Sequence, residues 1–231
     1  MDDQILITGA ARGLGLAMTR QLLERGCRIS ALVRAASDGL EELRARHGER
    51  LRVYLGDVSD DASTQKVFAE MGRHVDALDA IINNAVIYLD SAPNLQSADL
   101  SICARTFEVN SVGPLRVVQH GLPLLRKGQR KLIVNVSSEA GSIGDCRRKS
   151  EFAYCMSKSA LNMGSKLLQN SLEPEGIQVL VLHPGWFNSS GKGPAPISAE
   201  QASVRVLDTI LKPRAPGEPM YVGPDGAPLP W

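Results

Sequence analysis

A tyrosine and a lysine stand four positions apart in a segment with the apolar spacing of a helix, Tyr154-Cys155-Met156-Ser157-Lys158. Residues four apart lie on the same face of a helix. An ammonium group beside a phenol stabilises the phenolate, which lowers the pKa of the tyrosine. Such a tyrosine can donate a proton to a carbonyl oxygen or accept one from an alcohol. The spacing is also common in ordinary helices, so its meaning depends on the rest of the chain.

The composition is that of an ordinary globular protein. The chain has 231 residues, 43% of them hydrophobic, and a formal net charge of +1. This length suits one α/β domain, and the small charge indicates neither a nucleic-acid nor a membrane partner. No apolar stretch approaches the roughly 20 residues that span a bilayer, and the N-terminus lacks the basic region of a secretion signal. The dispersed cysteines fit reduced thiols, and the histidines match no metal-ligand spacing. The sequence predicts a soluble, cytoplasmic protein without a bound metal.

Short aliphatic runs alternate with longer amphipathic segments along the whole chain. This alternation is typical of βαβ units and of a mostly parallel sheet covered by helices on both faces. We therefore predict one α/β domain over residues 1–231, a doubly wound Rossmann fold with seven strands, whose halves divide near residue 130. The predicted strands are Gln4–Thr8, Arg28–Val33, Leu51–Tyr54, Ala80–Asn83, Lys131–Val136, Gln178–Leu182 and Met220–Val222. The predicted helices are Leu14–Arg25, Gly39–His47, Ala62–Arg73, Ala98–Leu125, Ser150–Leu172 and Ala199–Leu211.

The first predicted strand runs directly into a glycine-rich turn. Glycines let the backbone turn sharply and approach a pyrophosphate, and free N–H groups at the following helix start face the anion. Three residues, rather than the one of the standard dinucleotide motif, separate the first two glycines. The residues predicted to bind a cofactor in this turn are Thr8, Gly9, Arg12, Gly13, Leu14 and Gly15.

The second predicted strand ends in Arg34, with no acidic residue beside it. In folds that prefer NAD, a carboxylate at this place binds the ribose 2′-hydroxyl. The guanidiniums of Arg12 and Arg34 would instead suit a 2′-phosphate, because arginine binds phosphate in a planar fork. The sequence therefore favours NADP(H) over NAD(H). Further cofactor contacts are predicted past the third and fourth strands, at Asp57, Val58, Asn84 and Ala85.

Together these motifs resemble those of the short-chain dehydrogenases/reductases over essentially the whole chain. The resemblance rests, in the order of the chain, on Thr8–Gly15, Asp57, Asn83–Ala85, Asn110, Asn135–Ser138, Tyr154 with Lys158, and Pro184-Gly185. The segment from His183 to Trp186 and the C-terminal residues resemble the branch of the C-factor proteins and the Sniffer-type carbonyl reductases. The resemblance implies reduction of a ketone, aldehyde or quinone by NADP(H), and a homodimer or homotetramer.

The resemblance also implies roles for individual residues. Tyr154 would be the general acid/base, and Ser138 would hydrogen-bond the substrate oxygen. Lys158 would bind the nicotinamide ribose and lower the pKa of Tyr154. Asn110 would hold a water that links Lys158 to solvent. Cofactor contacts are implied for Tyr154 and Lys158 as well, and after the sixth strand for Pro184, Gly185, Phe187 and Ser189.

The sequence departs from the family's pattern at the site. Val86 stands where the family usually has glycine. After Trp186 the branch usually continues toward a threonine and an acid, but here the chain continues with Phe187, Asn188, Ser189 and Ser190. Ser138 and Tyr154 are sixteen positions apart, which enlarges the loop between them. The basic residues of this loop would suit an acidic substrate, although charge runs are usually solvated and we favour that explanation. These residues are Arg147, Arg148 and Lys149.

Two other functions stay open. A regulatory or signalling protein of the same fold would bind the nucleotide with little catalysis. The intact group of Asn110, Ser138, Tyr154 and Lys158 argues against it, because a pure binder needs no proton donor. An epimerase or dehydratase of the extended relatives would need a substrate domain, for which the chain has no room after its last helix.

Overall fold

The computed structural model describes residues 2–90, 92–187, 196–215, 217–218 and 220–231. Within these ranges, seven strands form one sheet. Numbered along the chain, the strands lie in the order three, two, one, four, five, six, seven. All neighbouring strands are parallel. The predicted Rossmann architecture is confirmed. The strands are β1 (Gln4–Thr8), β2 (Arg28–Val33), β3 (Leu51–Leu55), β4 (Ala80–Asn83), β5 (Leu132–Val136), β6 (Gln178–Leu182) and β7 (Tyr221–Val222).

Helices bury both faces of the sheet. Alternate residues of β1 enter different cores. Ile5 and Ile7 pack with the first, second and seventh helices, whereas Leu6 packs with the third, fifth and sixth helices. Because both faces are covered, the strands are nearly continuous hydrophobic runs rather than alternating ones. The helices are α1 (Gly13–Glu24), α2 (Asp38–His47), α3 (Asp61–Met71), α4 (Ile102–Phe107), α5 (Gly113–Leu125), α6 (Phe152–Leu172) and α7 (Ala199–Leu211).

The predicted helix Ala98–Leu125 differs from the structure in two ways. It begins later, at Ile102, and a π-helical turn over Glu108–Val112 separates α4 from α5. In that turn the Gly113 N–H donates to the Glu108 carbonyl, five residues back. A π-turn inserts one residue into the helix while keeping the helical path. The apolar pattern of the sequence therefore gave no sign of it.

The C-terminal residues pack against the sheet. The Trp231 ring lies 5.2 Å from the Tyr221 ring on β7, centre to centre. The Trp231 carbonyl accepts a 2.8 Å hydrogen bond from the Gly144 N–H, in the loop that follows β5. Tyr221 in turn donates its hydroxyl to the Ser138 carbonyl at 2.5 Å. The tail thus supports the residues at the end of β5.

Three structural properties bear on the function classes. Among the helices that the structure describes, none has both the length and the hydropathy to cross a bilayer. Within the same residues, no group of three or more His, Cys, Asp and Glu side chains is placed to hold a metal ion. Cys27, Cys103, Cys146 and Cys155 are free thiols.

Candidate active site

The carboxyl ends of the parallel strands bring the predicted residues to one edge of the sheet. Thr8 ends β1, Asn84 follows β4, Ser138 lies two residues after β5, and Pro184 two residues after β6. The strand order reverses between β1 and β4. In open α/β sheets, ligands bind outside the carboxyl ends of the strands at this reversal. The fold therefore places these residues at the edge where ligands of such sheets bind.

The turn after β1 is joined to the loop after β4. The Thr8 hydroxyl accepts the N–H groups of Asn84 and Ala85, each at 3.0 Å. The Asn84 amide donates to the carbonyls of Thr8 at 3.0 Å and Gly9 at 3.3 Å. A Cβ on Gly9 would lie 2.9 Å from the Ala85 Cα, and one on Gly15 would lie 2.3 Å from the Gly9 oxygen. Both glycines are therefore needed for this close approach of backbones.

The N-terminus of α1 is open to an anion. Arg12 occupies the N-cap position and makes no side-chain cap bond, and the first turn holds no acidic residue. Gly13 opens the helix with a left-handed φ of 53°. The leading N–H groups of a helix have no partner inside it and carry a partial positive charge. This end of α1, which also contains Leu14, fits the pyrophosphate of a dinucleotide.

Two unpaired guanidiniums flank the same turn. Arg12 and Arg34 are exposed, and neither guanidinium makes a hydrogen bond or ion pair with another residue that the structure describes. Ser37 ties the two regions together, because its hydroxyl donates to the Ala11 carbonyl at 2.6 Å and accepts the N–H of Leu40 in α2. Two free guanidiniums suit a 2′-phosphate. Their contact with NADP(H) stays a prediction.

The Asp57 carboxylate is already engaged within the protein. Its Oδ1 accepts the N–H and the hydroxyl of Ser59 at 2.9 and 2.6 Å, and Arg105 donates to its Oδ2 at 3.1 Å. Burial raises the pKa of Asp57, but the hydrogen bonds from Ser59 and Arg105 outweigh it and hold the pKa below its usual value. Val58 is buried, and a Cβ on Gly113 would lie 3.0 Å from its Cγ2. The predicted adenine contact of Asp57 stays a prediction.

Tyr154, Lys158 and Ser138 lie close together in the structure. The Lys158 Nζ lies 5.8 Å from the centre of the Tyr154 ring and donates to the Val136 carbonyl at 2.8 Å. The Ser138 hydroxyl lies near enough to the Tyr154 phenol to act on its pKa. The phenol and the serine hydroxyl can therefore converge on one substrate oxygen.

Burial shifts the pKa values of this group in a way that spacing alone does not predict. Burial raises the pKa of Tyr154; the Ser138 hydroxyl and the nearby Arg148 oppose the rise, and the Glu139 carboxylate adds to it. Burial also lowers the pKa of Lys158 to about 7. Desolvation disfavours the charged form of each group. The spacing predicted a lowered pKa for Tyr154; the structure shows a raised one, because it adds this desolvation.

Asn110 lies in the π-turn and holds the loop after β4. Its Oδ1 accepts the Ile87 N–H and its Nδ2 donates to the Ile87 carbonyl, both at 2.9 Å. The Nδ2 also donates to the Ser157 hydroxyl at 3.1 Å. Asn110 therefore joins this loop to α6 one residue before Lys158. Its role in holding a water beside Lys158 stays a prediction.

The start of α6 is capped from a distant part of the chain. The helix begins at Phe152, after Glu151 in a left-handed conformation that makes no side-chain cap bond. Instead the Asp90 carboxylate accepts the N–H groups of Ala153 and Tyr154, at 3.3 and 2.9 Å. The predicted start at Ser150 was two residues early because the chain turns at Glu151.

Replacing Asp90 by alanine lowers the free energy of unfolding by about 0.5–2 kcal/mol, the usual effect of losing a helix cap. Urea denaturation followed by circular dichroism measures the change. Asp76→Ala is the matched control, because the Asp76 side chain is exposed and makes no hydrogen bond or ion pair with another described residue. Equal stabilities of the two variants would contradict a capping role for Asp90.

The enlarged loop after β5 is not simply a solvated basic segment. Arg147 and Lys149 are exposed, as expected. Arg148 is only 22% exposed and forms ion pairs with Glu139 and Glu151. The expectation of a solvated loop is therefore wrong for Arg148, whose positive charge two carboxylates already neutralise.

The segment after β6 is described as far as Phe187. Pro184 is buried, and Gly185 has a left-handed φ of 82°. Phe187 packs against the core on the side of α1, whereas the Trp186 ring lies 5.4 Å from the Arg148 guanidinium. Ser189 lies outside the described residues.

The order and placement of these residues match a known family along most of the chain. The family model described as short chain dehydrogenase matches residues 3–196. The chain belongs to the short-chain dehydrogenase family. This short-chain dehydrogenase is 38% identical over 160 residues to the C-signal protein of Myxococcus xanthus, a match that covers 67% of this chain and 93% of that one.

Solved structures agree with this assignment. The carbonyl reductase Sniffer of D. melanogaster has a TM-score of 0.92 and 31% identity to this short-chain dehydrogenase, with 100% of both chains covered. The NADPH-bound carbonyl reductase from chicken fatty liver has a TM-score of 0.90 and 26% identity, covering 100% of this chain and 99% of that one. The predicted family and its C-factor and Sniffer branch are confirmed.

Some residues beside the site of this short-chain dehydrogenase gave little or no signal in the sequence. Asp90 caps a helix that begins more than sixty residues later, so no local pattern could reveal it. Glu139 follows Ser138 directly, and only its place in a motif loop could have drawn attention to it. Arg148 and Glu151 stand three positions apart, but they lie in a loop, where this spacing does not by itself indicate a contact.

Proposed function

We propose that this short-chain dehydrogenase transfers hydride between NADP(H) and a carbonyl compound, and so reduces a ketone, aldehyde or quinone to an alcohol. The observation that carries the proposal is the convergence of Tyr154, Ser138 and Lys158 beside the glycine turn. The carbonyl reductases among the similar structures, one of them NADPH-bound, support the reaction and the cofactor.

Residues of the first half of the chain would hold the cofactor. The α1 N-terminus and the glycine turn fit its pyrophosphate, and the free guanidiniums of Arg12 and Arg34 fit a 2′-phosphate. Asp57 and Asn84 border the adenine side in this proposal. Bound NADPH would supply the hydride.

Tyr154 would supply the proton. In the reductive direction the phenol donates its proton to the carbonyl oxygen, and its raised pKa keeps it protonated at neutral pH. Ser138, whose proton is directed to Glu139 in the structure, would turn it to the same oxygen and stabilise the negative charge that develops there. Lys158 would hold the nicotinamide ribose beside the phenol. Near neutral pH its lowered pKa lets it give up and regain a proton, which suits proton replacement toward Asn110.

The test is turnover on a panel of neutral ketones, aldehydes and quinones, followed at the absorbance of NADPH. Oxidation of NADPH that depends on the added carbonyl supports the proposal. Tight nucleotide binding with no turnover across the panel would instead favour a regulatory protein of the same fold, and no binding at all would refute both.

We also propose a homodimer or homotetramer, as the family resemblance implied. On α6, Met156, Met163 and Leu167 are 44%, 63% and 61% exposed. Their spacing of seven and four places them on one side of the helix. Sedimentation velocity at micromolar concentration should show an assembly larger than a monomer; a monomer alone would refute this part of the proposal. The cytoplasmic location stays a prediction.

A further inference from the structure

A chain of ion pairs connects Ser138 to the start of the helix that carries Tyr154. The Ser138 hydroxyl donates to the Glu139 Oε2 at 2.7 Å. The other oxygen of Glu139 pairs with the Arg148 guanidinium, whose second nitrogen pairs with Glu151. Glu151 stands immediately before α6, three residues before Tyr154. One guanidinium therefore spans the two elements that supply the phenol and the serine.

The surroundings hold this chain of contacts in place. Glu151 has φ 64° and ψ 41°, a left-handed conformation that few residues other than glycine adopt. Its carboxylate accepts the Tyr88 hydroxyl as well as Arg148. The Arg148 guanidinium lies over the Trp186 ring, and its side chain is 22% exposed. Ion pairs that are partly removed from water are screened less than those on the surface. A strained backbone of this kind persists where its surroundings hold it.

We propose that Glu139 and Arg148 are positioning residues: their ion pair orients the Ser138 hydroxyl and holds the turn of Ser138 against the start of α6. This inference rests on the proposed function, since it concerns the same phenol and serine. Because two carboxylates already pair with Arg148, its guanidinium is not a free receptor for an acidic substrate.

The same ion pair places opposite charges near the Tyr154 phenol. The Glu139 carboxylate raises the pKa of Tyr154 and the Arg148 guanidinium lowers it. Burial raises the pKa of Glu139, but hydrogen bonds from Ser138 and Arg148, with the charge of His183, bring it below its usual value. Glu139 is therefore ionised wherever Tyr154 titrates.

Other titratable groups also surround the Tyr154 phenol, and neither Glu139→Gln nor Arg148→Met replaces them. Burial lowers the pKa of His183, whose Nδ1 lies 3.4 Å from the Glu139 Oε2, so its imidazole is neutral above neutral pH. Burial raises the pKa of Cys155, which keeps that thiol protonated. The remaining titratable groups are Tyr88 and Asp90 after β4, Glu151 before α6, Lys158 on α6 and Tyr221 on β7.

The experiment compares Glu139→Gln with Arg148→Met. Each purified variant is titrated with base, and the phenolate is followed by its ultraviolet absorbance. Subtracting the same titration of the variant that also carries Tyr154→Phe isolates Tyr154. Glutamine keeps an acceptor for Ser138 but removes the negative charge, so the Tyr154 midpoint moves to lower pH. Methionine keeps the stem that packs on Trp186 but removes the positive charge, so the midpoint moves to higher pH.

Glu175→Gln is the matched control. Glu175 pairs with Arg126 at 2.6 and 2.8 Å, just before β6 and thus at the opposite edge of the sheet. The Glu175→Gln variant also loses one carboxylate from an ion pair, and the pH midpoint of its Tyr154 titration should not change. On an active carbonyl, kcat of Glu139→Gln should fall more than KM rises, and Arg148→Lys should recover part of the loss in Arg148→Met.

Opposite shifts in the two variants support the proposal; unchanged midpoints, or shifts in the same direction, overturn it. If circular dichroism shows that Glu139→Gln does not fold, Arg148→Met decides alone: a higher midpoint supports the ion pair, and an unchanged or lower one refutes it. The titration needs no turnover. It therefore still tests the ion pair if the carbonyl panel shows no activity and the proposed function fails.

Discussion

Replacing Tyr154 by phenylalanine lowers kcat for carbonyl reduction by about 10²–10⁴-fold, the usual contribution of a general acid. The substitution removes only the hydroxyl. The ring keeps its edge-on contact with Tyr88, whose centre lies 5.2 Å away, and its place above Lys158. The expected loss is therefore a loss of proton transfer rather than of structure. It is measured as NADPH oxidation at saturating carbonyl.

Tyr54→Phe is the matched control for that variant. Tyr54 is 3% exposed and belongs to β3 in the core beneath α3, four strands away from β5, after which Ser138 lies. It loses the same hydroxyl and should keep kcat close to that of the unchanged protein. Turnover of Tyr154→Phe near that of the control would refute the assignment of the general acid.

Replacing both Arg12 and Arg34 by alanine weakens NADPH binding by roughly 10²–10⁴-fold. Each arginine contributes a hydrogen bond to a charged group, which is worth about 1.5–3 kcal/mol. About 1.4 kcal/mol corresponds to a tenfold change in Kd. Neither guanidinium pairs with another described residue, so no internal ion pair is lost. NADH has no 2′-phosphate, and its Kd should change little. Isothermal titration with both nucleotides at one salt concentration gives the two constants.

An Arg73→Ala variant controls for the loss of positive charge. Arg73 is exposed, follows α3, and makes no contact of this kind with the described residues. It should bind NADPH as the unchanged protein does. Equal weakening of NADPH and NADH in the double variant would show that the arginines do not read the 2′-phosphate. Binding of neither nucleotide by the unchanged protein would remove the basis for the cofactor site.

The regular elements were predictable because their signals are short-range. Aliphatic runs such as Ile5–Ile7 and Leu132–Val134 indicate strands buried on both faces, and the helices between them indicate parallel crossovers. Element ends were less predictable. The strand β5 begins at Leu132 because Lys131 has a φ of 52°, and α6 begins at Phe152 because Glu151 is left-handed. No residue type at either place indicates that conformation.

Part of the candidate site also follows from the sequence alone. Four positions on a helix are enough to place Tyr154 and Lys158 on one face, whatever the helix packs against. A glycine turn that joins a first strand to a helix directs helix N–H groups toward the carboxyl edge of a parallel sheet. These two patterns depend only on backbone geometry, which neighbouring residues determine.

The rest of the site depends on contacts between distant segments and on burial. The sequence determined which residues carry the chemistry: the Tyr154–Lys158 face and the glycine turn. Only the tertiary structure decided that Asp90 caps α6, that Arg148 joins Glu139 to Glu151, and in which direction the pKa values of Tyr154 and Lys158 move. The physical reason is that a pKa reports the loss of water around a group, and that loss exists only once the elements have packed.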